Sequence, residues 1–366
     1  MGVVSSSADV PDPGPTGGAV PGVELESVPY RREDWARVVA RYSEAEAFHS
    51  PEWLAYLAAT QGARPVVAVV RAEGRPVGHF VGAVVRRFGV KILGSPMPGW
   101  GTQHMGFLLE QEVDRGAVAA AVLRYAFGEL GCVHVELSNR SLSGENMVHS
   151  GYVAESGATY LIDLRASEED ILARMSARTR TYVRRAARNG LRAEIGTDGD
   201  FADEYHAQLS EVFARQGLAP TYGVERVRHL IEEMGPSGQL LLLRVRGDDG
   251  VTLATGVSVG RNGVAVNWGT ASAQTASALH PNELLWWEMM RIWRSRGVSL
   301  FDMGGRGDYK AKYGGVLTPT VSFRRSRFGG LEPARAAAKR LVKARQAYAG
   351  RRGAEGSPRS SGGSGA

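Results

Sequence analysis

The sequence predicts an α/β (α+β) protein made of two similar units, each a mixed, mostly antiparallel sheet flanked by helices. Two observations carry this expectation. The chain has 366 residues, comfortable for two domains of about 150 residues each. Helical patterns, β-rich runs broken by Gly turns, a further helix and a further strand also appear in the same order twice, without a strong sequence repeat. The units are expected at 23–155 and 156–348. The Pro-, Gly- and Ser-rich ends, 1–22 and 349–366, are expected to be disordered.

The first unit opens with a strand over VELESV. Helical patterns follow at EDWARVVARY and at SPEWLAYLAAT, the second with Ser50 as N-cap and Pro51 at its first position. PVVAVVRAEGRPVGHFVGAVVRRFG alternates about a Gly turn and predicts a hairpin. A helix over VDRGAVAAAVLRYAFGELG and a strand over CVHVELSN complete the pass.

The second unit opens near ATYLIDL. One long helix is expected from the Ser167 cap to Asn189-Gly190, followed by the strand LRAEIG and helices near 200–215 and 224–234. Three strands follow, with turns at Asp249-Gly250 and Asn262-Gly263. The helix NELLWWEMMRIWRSRG, the strand VSLFDMGG, the strand TVSFRRSRF and a basic helix over 332–349 end the pass.

Composition excludes several function classes. Cys132 is the only cysteine, so neither an internal disulfide nor a cysteine metal site is available, and a reducing cytoplasm is the expected location. The first residues lack the basic start and apolar core of a signal peptide. No run approaches the roughly 18 apolar residues of a membrane span. Integral membrane contact is therefore not expected, while peripheral association stays open. The histidines lack metal-ligand spacing, and no HExxH, GxSxG, Walker or GxGxxG pattern occurs. Neither a metal nor a tightly bound cofactor is expected, and the protein is expected to be a monomer.

Charge is clustered. The formal net charge is +6, and seven arginines with no acid lie between Arg174 and Arg192. At about 100° per residue, Arg174, Arg178, Arg180, Arg184, Arg185 and Arg188 share one side of the expected helix. This face is either a solvated surface or a landing strip for phosphates; Arg180, Arg184, Arg185 and Arg188 are the candidate phosphate or RNA contacts. Trp286, Trp287 and Trp293 form a core-facing stripe. Asn282, just ahead of them, is placed either to cap the helix or to touch substrate. The preceding SALHPNE has no glycine, which speaks against a standard acetyl-CoA pyrophosphate loop.

FDMGGRGDYKAKYGG, residues 301–315, sets Lys310 and Lys312 between Tyr309 and Tyr313, with paired glycines on both sides. A turn of helix here would wall Lys310 with the two tyrosines, and Asp302 would orient the loop or an incoming amine. The alternative is solvated lysines and tyrosines that only pack.

The element order is that of the acyltransferase fold called GNAT. FHSPEWLAYL, TYLIDLRASEEDILARMSARTRTYVRRAARNGL and FDMGGRGDYKAKYGG together resemble the FemABX-like acyltransferases, over roughly residues 23–345. That group includes aminoacyl-tRNA-dependent transferases that build peptidoglycan cross-bridges. The resemblance implies tandem GNAT-like domains with the cleft in or near the second. It implies Lys310 as the cleft lysine, stabilising a tetrahedral oxyanion, and Arg215 as a phosphate contact. Tyr309, Lys312, Tyr313, Trp268 and Asn282 complete the expected substrate contacts, and Asp302 is the second catalytic candidate. Two departures stand out: WLAYLAAT offers no phosphate-binding lysine, and no helical-hairpin arm is inserted. The expected reaction is transfer of an aminoacyl group from aminoacyl-tRNA to an amine of a cell-wall precursor or small peptide-like metabolite. Acyl-CoA as donor, and a non-catalytic basic RNA-binding module, are the alternatives.

Overall fold

The computed structural model describes residues 22–330 except 111, 149, 197 and 198, together with Arg340. The expected terminal segments, apart from Gly22, and the basic helix over 332–349, apart from Arg340, lie outside the described residues.

The first half runs β1 (Val23–Val28), α1 (Arg32–Val39), α2 (Pro51–Gln61), β2 (Arg64–Ala72), β3 (Arg75–Arg87), β4 (Val90–Ser95), β5 (Gly106–Leu109), α3 (Arg115–Arg124) and β6 (His134–Leu137). Local chemistry sets the boundaries. Ser50 Oγ accepts from the Trp53 amide 3.1 Å away, Pro51 begins α2, and Gly62 ends it at φ 59°. Glu73 and Gly74, both at positive φ, turn β2 into β3. The strands β4 and β5 carry no sequence signal used above. They form because VKILGS and GFLL find open edges of β3.

β7 (Val153–Asp163) follows the first half, and the second half then runs α4 (Glu168–Arg174), α5 (Ala177–Arg188), β8 (Arg192–Ile195), α6 (Phe201–Ala214), α7 (Val224–Met234), β9 (Leu240–Arg246), β10 (Thr252–Arg261), β11 (Val264–Ser272), α8 (Pro281–Ser295) and β12 (Leu300–Asp302), with β13 (Val316–Ser326) after it. The single long helix expected from Ser167 is two helices. Met175 leaves the helical region at ψ 154°, and Ser176 caps the second piece by accepting from the Thr179 amide. The break lets Ser176 N bond the Lys312 carbonyl at 2.9 Å, a tertiary contact that an unbroken helix would forfeit.

The two halves repeat one pairing pattern. β1–β2–β3–β4 are antiparallel neighbours and β4 then pairs β6 in parallel. Likewise β8–β9–β10–β11 are antiparallel and β11 pairs β12 in parallel. These are tandem GNAT-like sheets. At the centre they exchange strands: β7 pairs β12 of the second half, β13 pairs β6 of the first, and β7 and β13 pair with each other from Val316↔Leu161 to Arg324↔Val153. The result is one 13-stranded sheet, and the expected boundary at 155 falls inside β7.

Burial explains the exchange. Tyr160 and Ile162 of β7 pack with Trp286 and Phe301 in the second core, whereas Phe323 of β13 packs with Val135 and Leu137 in the first. A third core crosses the halves, where Trp53, Tyr56 and Leu57 of α2 meet Val227, Leu230 and Met234 of α7. Arg226 adds a 2.8 Å hydrogen bond to Tyr56 Oη.

Phe323 thus supports the first half although it lies almost 190 residues after β6 in the chain. Phe323→Ala is expected to cost about 3–5 kcal/mol. In urea unfolding, a loss under 1 kcal/mol would show that β13 is dispensable to the first core.

Candidate active site

β11 and β12 run in parallel only as far as Val266↔Asp302, then separate. At that point β11 carries a bulge: Ser258 faces Asn267 and Val257 faces Gly269, so Trp268 has no partner on β10. A bulge re-aims side chains and frees backbone groups from the ladder. Tyr205 and Tyr222 pack on the Trp268 ring, and Arg226 lies 5.9 Å over it. Trp268 Nε1, Asn267 Oδ1 and Asp302 Oδ2 are all buried without a hydrogen-bond partner. Three such atoms near one strand opening single it out, because buried polar groups are nearly always paired.

Asp302, fully buried, is held from one side. Its Oδ1 accepts from Thr159 Oγ1 and, at 2.9 Å, from the Gly304 amide. Its Oδ2 meets only the Arg140 guanidinium, 3.8 Å away. Arg140 in turn grips Glu46 through two contacts of 2.7 and 3.1 Å. Burial alone would raise the Glu46 pKa; the Arg140 pair overrides it and holds Glu46 below the ordinary carboxylate range. His104 stands nearby, with Nδ1 3.3 Å from Ser138 Oγ, and burial lowers its pKa against the opposing pull of Glu46 and Asp302. The first half therefore supplies Glu46, His104 and Arg140 to a centre whose carboxylate belongs to the second. Sequence reasoning missed all three, since each is an isolated residue that only the strand exchange brings to Asp302.

The 308–313 segment forms a 3-10 turn, as the tyrosine spacing suggested. Lys310 is buried, and its ammonium donates to the carbonyls of Gly304 and, at 3.1 Å, Gly305. It thereby clamps the turn that Asp302 caps from the other end. Burial lowers its pKa, and Asp302 partly restores it. Gly304 and Gly305 both adopt positive φ, and a side chain on Gly304 would meet the Asn267 carbonyl at 2.8 Å, so the turn requires glycine there. Tyr309 is exposed at the rim, 5.8 Å from Lys310 Nζ. Tyr313 differs from expectation: it packs against Trp286 in the core rather than walling the cleft, because Gly314 at φ 83° turns the chain there. Lys312 points back to Glu283 of α8 at 2.8 Å.

The N-terminus of α8 lies beside this region. His280 precedes it at φ 62° with no side-chain cap, and Pro281 leaves the Asn282 and Glu283 amides as the first free donors. His280 thus takes a left-handed conformation in a loop that has no glycine. Asn282 does not cap the helix; its Nδ2 donates to Ser272 Oγ at 2.8 Å. A cavity of about 430 Å³ here brings Asn282 together with Arg215, Gln274, Ser277 and His280. In the first half the corresponding crossover helix, α3, has its N-terminus filled: Asp114 Oδ1 accepts from the Gly116 and Ala117 amides. Of these two crossover helices, α8 alone is left without a side-chain cap at its N-terminus, where an anion is favoured.

The arginine face reaches the same place. Tyr182 of α5 stacks on His280 with ring centroids 3.7 Å apart and planes 12° from parallel. Burial, and the positive charges of Arg185 and Arg178 against the opposing Glu283, lower the His280 pKa. Arg184, Arg185 and Arg188 are exposed. Arg180 is instead spent on structure, donating to the Ala173 and Met175 carbonyls at the end of α4.

Residues 173–313 match the family model described as acetyltransferase (GNAT) domain. The fold is similar to a crystal structure of FemX, at TM-score 0.67 and 12% identity over 82% of this chain and 97% of that one. Residues 173–313 thus match a GNAT domain, and the chain shares the fold of FemX. Two further likenesses have a TM-score of 0.50. One is a tandem GNAT protein from the clavulanic acid biosynthesis pathway, 14% identical over 84% of this chain and 99% of that chain. The other is L-PGS from Bacillus licheniformis, 13% identical over 81% and 97%. No curated protein matches the sequence significantly. Among the described residues no helix is long and apolar enough to cross a membrane, and no cluster of His, Cys, Asp or Glu is suited to a metal ion.

The Lys310 clamp has a measurable signature. Lys310→Met is expected to lower kcat by about two orders of magnitude while leaving the melting temperature within a few degrees, since an apolar replacement removes a buried charge. The folded chain releases the Lys310 proton at lower pH than the unfolded chain does. Wild type should therefore gain stability relative to Lys310→Met as pH rises toward the ordinary lysine range. A wild-type rate in the variant would remove Lys310 from the mechanism. Lys312→Ala should be milder, costing about 1 kcal/mol or less in stability because the pair is partly exposed.

Proposed function

We propose that the protein transfers an aminoacyl group from a charged tRNA to an amine of a cell-wall precursor or a small peptide-like metabolite. The observation that carries this reading is the Tyr182–His280 stack. It joins the exposed arginines of α5 to the open N-terminus of α8 as one surface. A polyanion lying along Arg184, Arg185 and Arg188 would deliver its end to the cavity that holds Arg215 and Asn282. The ester carbonyl would then sit at the opening of β11 and β12, where Trp268, Asn267 and Asp302 leave polar atoms unpartnered.

The roles follow from charge and position. Attack by an amine on the ester makes a tetrahedral oxyanion, whose collapse forms the amide and breaks the acyl C–O bond, and the proton lost by the amine goes to the departing ribose oxygen. Trp268 Nε1, left without a partner on the bulged β11, would suit the oxyanion, whereas both amides of the Gly304–Gly305 turn are spent on Asp302 and Thr159. Lys310 would keep that turn in shape, and its charge would act on the oxyanion from behind the carbonyls. Asp302 would orient the amine through Oδ2. The donor would dock on the second unit, 156–348, and the first unit, 23–155, would face the acceptor. The protein would act in the cytoplasm as a monomer.

Acyl-CoA is the second reading. The left-handed His280 favours it, because that backbone opens a helix N-terminus to a pyrophosphate much as glycine would.

Arg184→Glu with Arg185→Glu separates the two. If tRNA docks on α5, the double variant should bind it more weakly, and the slope of log affinity against log salt should fall by about two phosphates' worth. Circular dichroism should stay unchanged. Wild-type tRNA affinity and slope in the variant, with tight acetyl-CoA binding in both proteins, would give the donor role to CoA.

A further inference from the structure

The hairpins at Glu73–Gly74, Asn262–Gly263 and Phe88–Gly89 each turn on a residue–glycine pair at positive φ. In the last, Arg87 pairs Val90, so Phe88 and Gly89, at φ 50° and 81°, are the whole loop between β3 and β4. Both central residues of such a turn are left-handed, and asparagine and glycine suit them. A bulky side chain there is strained. Packing does not offset the cost, because Phe88 is 98% exposed.

The surroundings of Phe88 are cationic. Arg86 and Arg87 are exposed before it, and no acid occurs between Glu73 and Glu110. Backbone hydrogen bonds bring a second basic and aromatic group to the same end of the sheet. Val133 N donates to the Lys91 carbonyl and Arg327 N to the Val133 carbonyl, each at 2.9 Å. Since Arg86 pairs Lys91, three strand spacings, about 14 Å, separate the backbones of Arg86 and Arg327. Arg325 at the end of β13, and Arg327 and Phe328 just after it, are exposed. Glu129, which precedes β6, lines instead a cavity with Glu24, Glu26 and Arg71. The chain continues from this end of the sheet, and residues 331–352 carry seven Lys or Arg against one acid, Glu332.

Exposed rings in a basic, acid-poor rim have the composition of a membrane-interface anchor. A ring leaves water for the boundary of headgroups and acyl chains, and the guanidinium groups meet anionic headgroups. A single protruding hairpin tip offers far less area than a stable protein interface needs, roughly 800 Å² per partner. We propose that the β3–β4 tip and the end of β13 form a docking surface for an anionic lipid bilayer, with Phe88 inserted at the level of the headgroups. β4 and β6 run from this end toward Arg140, which follows β6 and meets Asp302. The docked surface and the Asp302 centre therefore lie at opposite ends of these strands. The proposal does not rest on the acyl-transfer reading.

The test is co-sedimentation of the full chain with vesicles of phosphatidylcholine alone, and of equal parts phosphatidylcholine and phosphatidylglycerol. The protein should bind the mixed vesicles, and more weakly as salt rises. Phe88→Asn changes no charge and suits the left-handed turn, so it should keep the melting temperature yet weaken binding about tenfold. Arg86→Glu with Arg87→Glu should weaken binding by about two orders of magnitude. Cys132, the only cysteine, is buried, so Phe88→Cys offers a single accessible thiol. An environment-sensitive fluorophore there should shift to the blue on the mixed vesicles. Absence of binding to the mixed vesicles, or an unshifted label, would overturn the proposal. So would wild-type binding by Phe88→Asn, which would give the vesicles to the arginines of α5. A lipid-free wild-type dimer in sedimentation velocity, split by Phe88→Asn, would give the face to a second copy and overturn it too. None of these outcomes bears on the tRNA salt slope.

Discussion

The pairing of β7 with β13 is the constraint on which the rest depends. Each strand follows one half in the chain and completes the sheet of the other. The exchange fuses two small sheets into one and sets the opening between β11 and β12 beside the central ribbon. It also places Thr159 of β7 under Asp302 and sends Phe323 of β13 into the opposite core. Neither half can relax its central strand without disturbing the other. A cleft that must hold a donor and an acceptor in one geometry benefits from such rigidity.

Around that ribbon, charges are buried in linked sets rather than singly. Arg140 lies between Glu46 and Asp302, and Lys310 is spread over two carbonyls. Breaking a buried pair by deleting one member typically costs 3–5 kcal/mol, because the remaining charge is stranded. Asp302 Oδ2, the carboxylate oxygen of these sets that is left without a hydrogen bond, is therefore conspicuous. The fold satisfies Oδ1 completely and leaves Oδ2 at the opening, next to the unpartnered groups of Asn267 and Trp268. The two crossover helices differ in a similar way: the second half leaves the N-terminus of α8 without a side-chain cap, and the first fills that of α3 with Asp114.

Much was legible wherever local chemistry dominates. The Ser50–Pro51 start of α2, the Glu73–Gly74 hairpin and the 308–313 turn all follow from capping, positive φ and spacing. The arginine face of α5 was visible because helical periodicity alone groups those side chains. Reasoning failed where a distant partner decides. A continuous helical pattern hid the break at Met175, which a hydrogen bond to Lys312 rewards. Arg180 looked like its neighbours but serves the end of α4. Tyr313 looked like Tyr309, yet one is core and the other rim.

By itself the sequence determined the tandem α/β plan, the caps and turns, the basic helix and the glycine-flanked lysine segment. These depend on interactions within a few residues or on the period of a single element, and both are written in the chain order. The tertiary structure alone decided which half receives each central strand, that Lys310 faces two carbonyls, and that Arg140 and His104 join Asp302. It also decided that His280 supplies a left-handed residue where no glycine stands. The physical reason is that burial and charge pairing across more than a hundred residues select among conformations that local preferences leave nearly equal in energy.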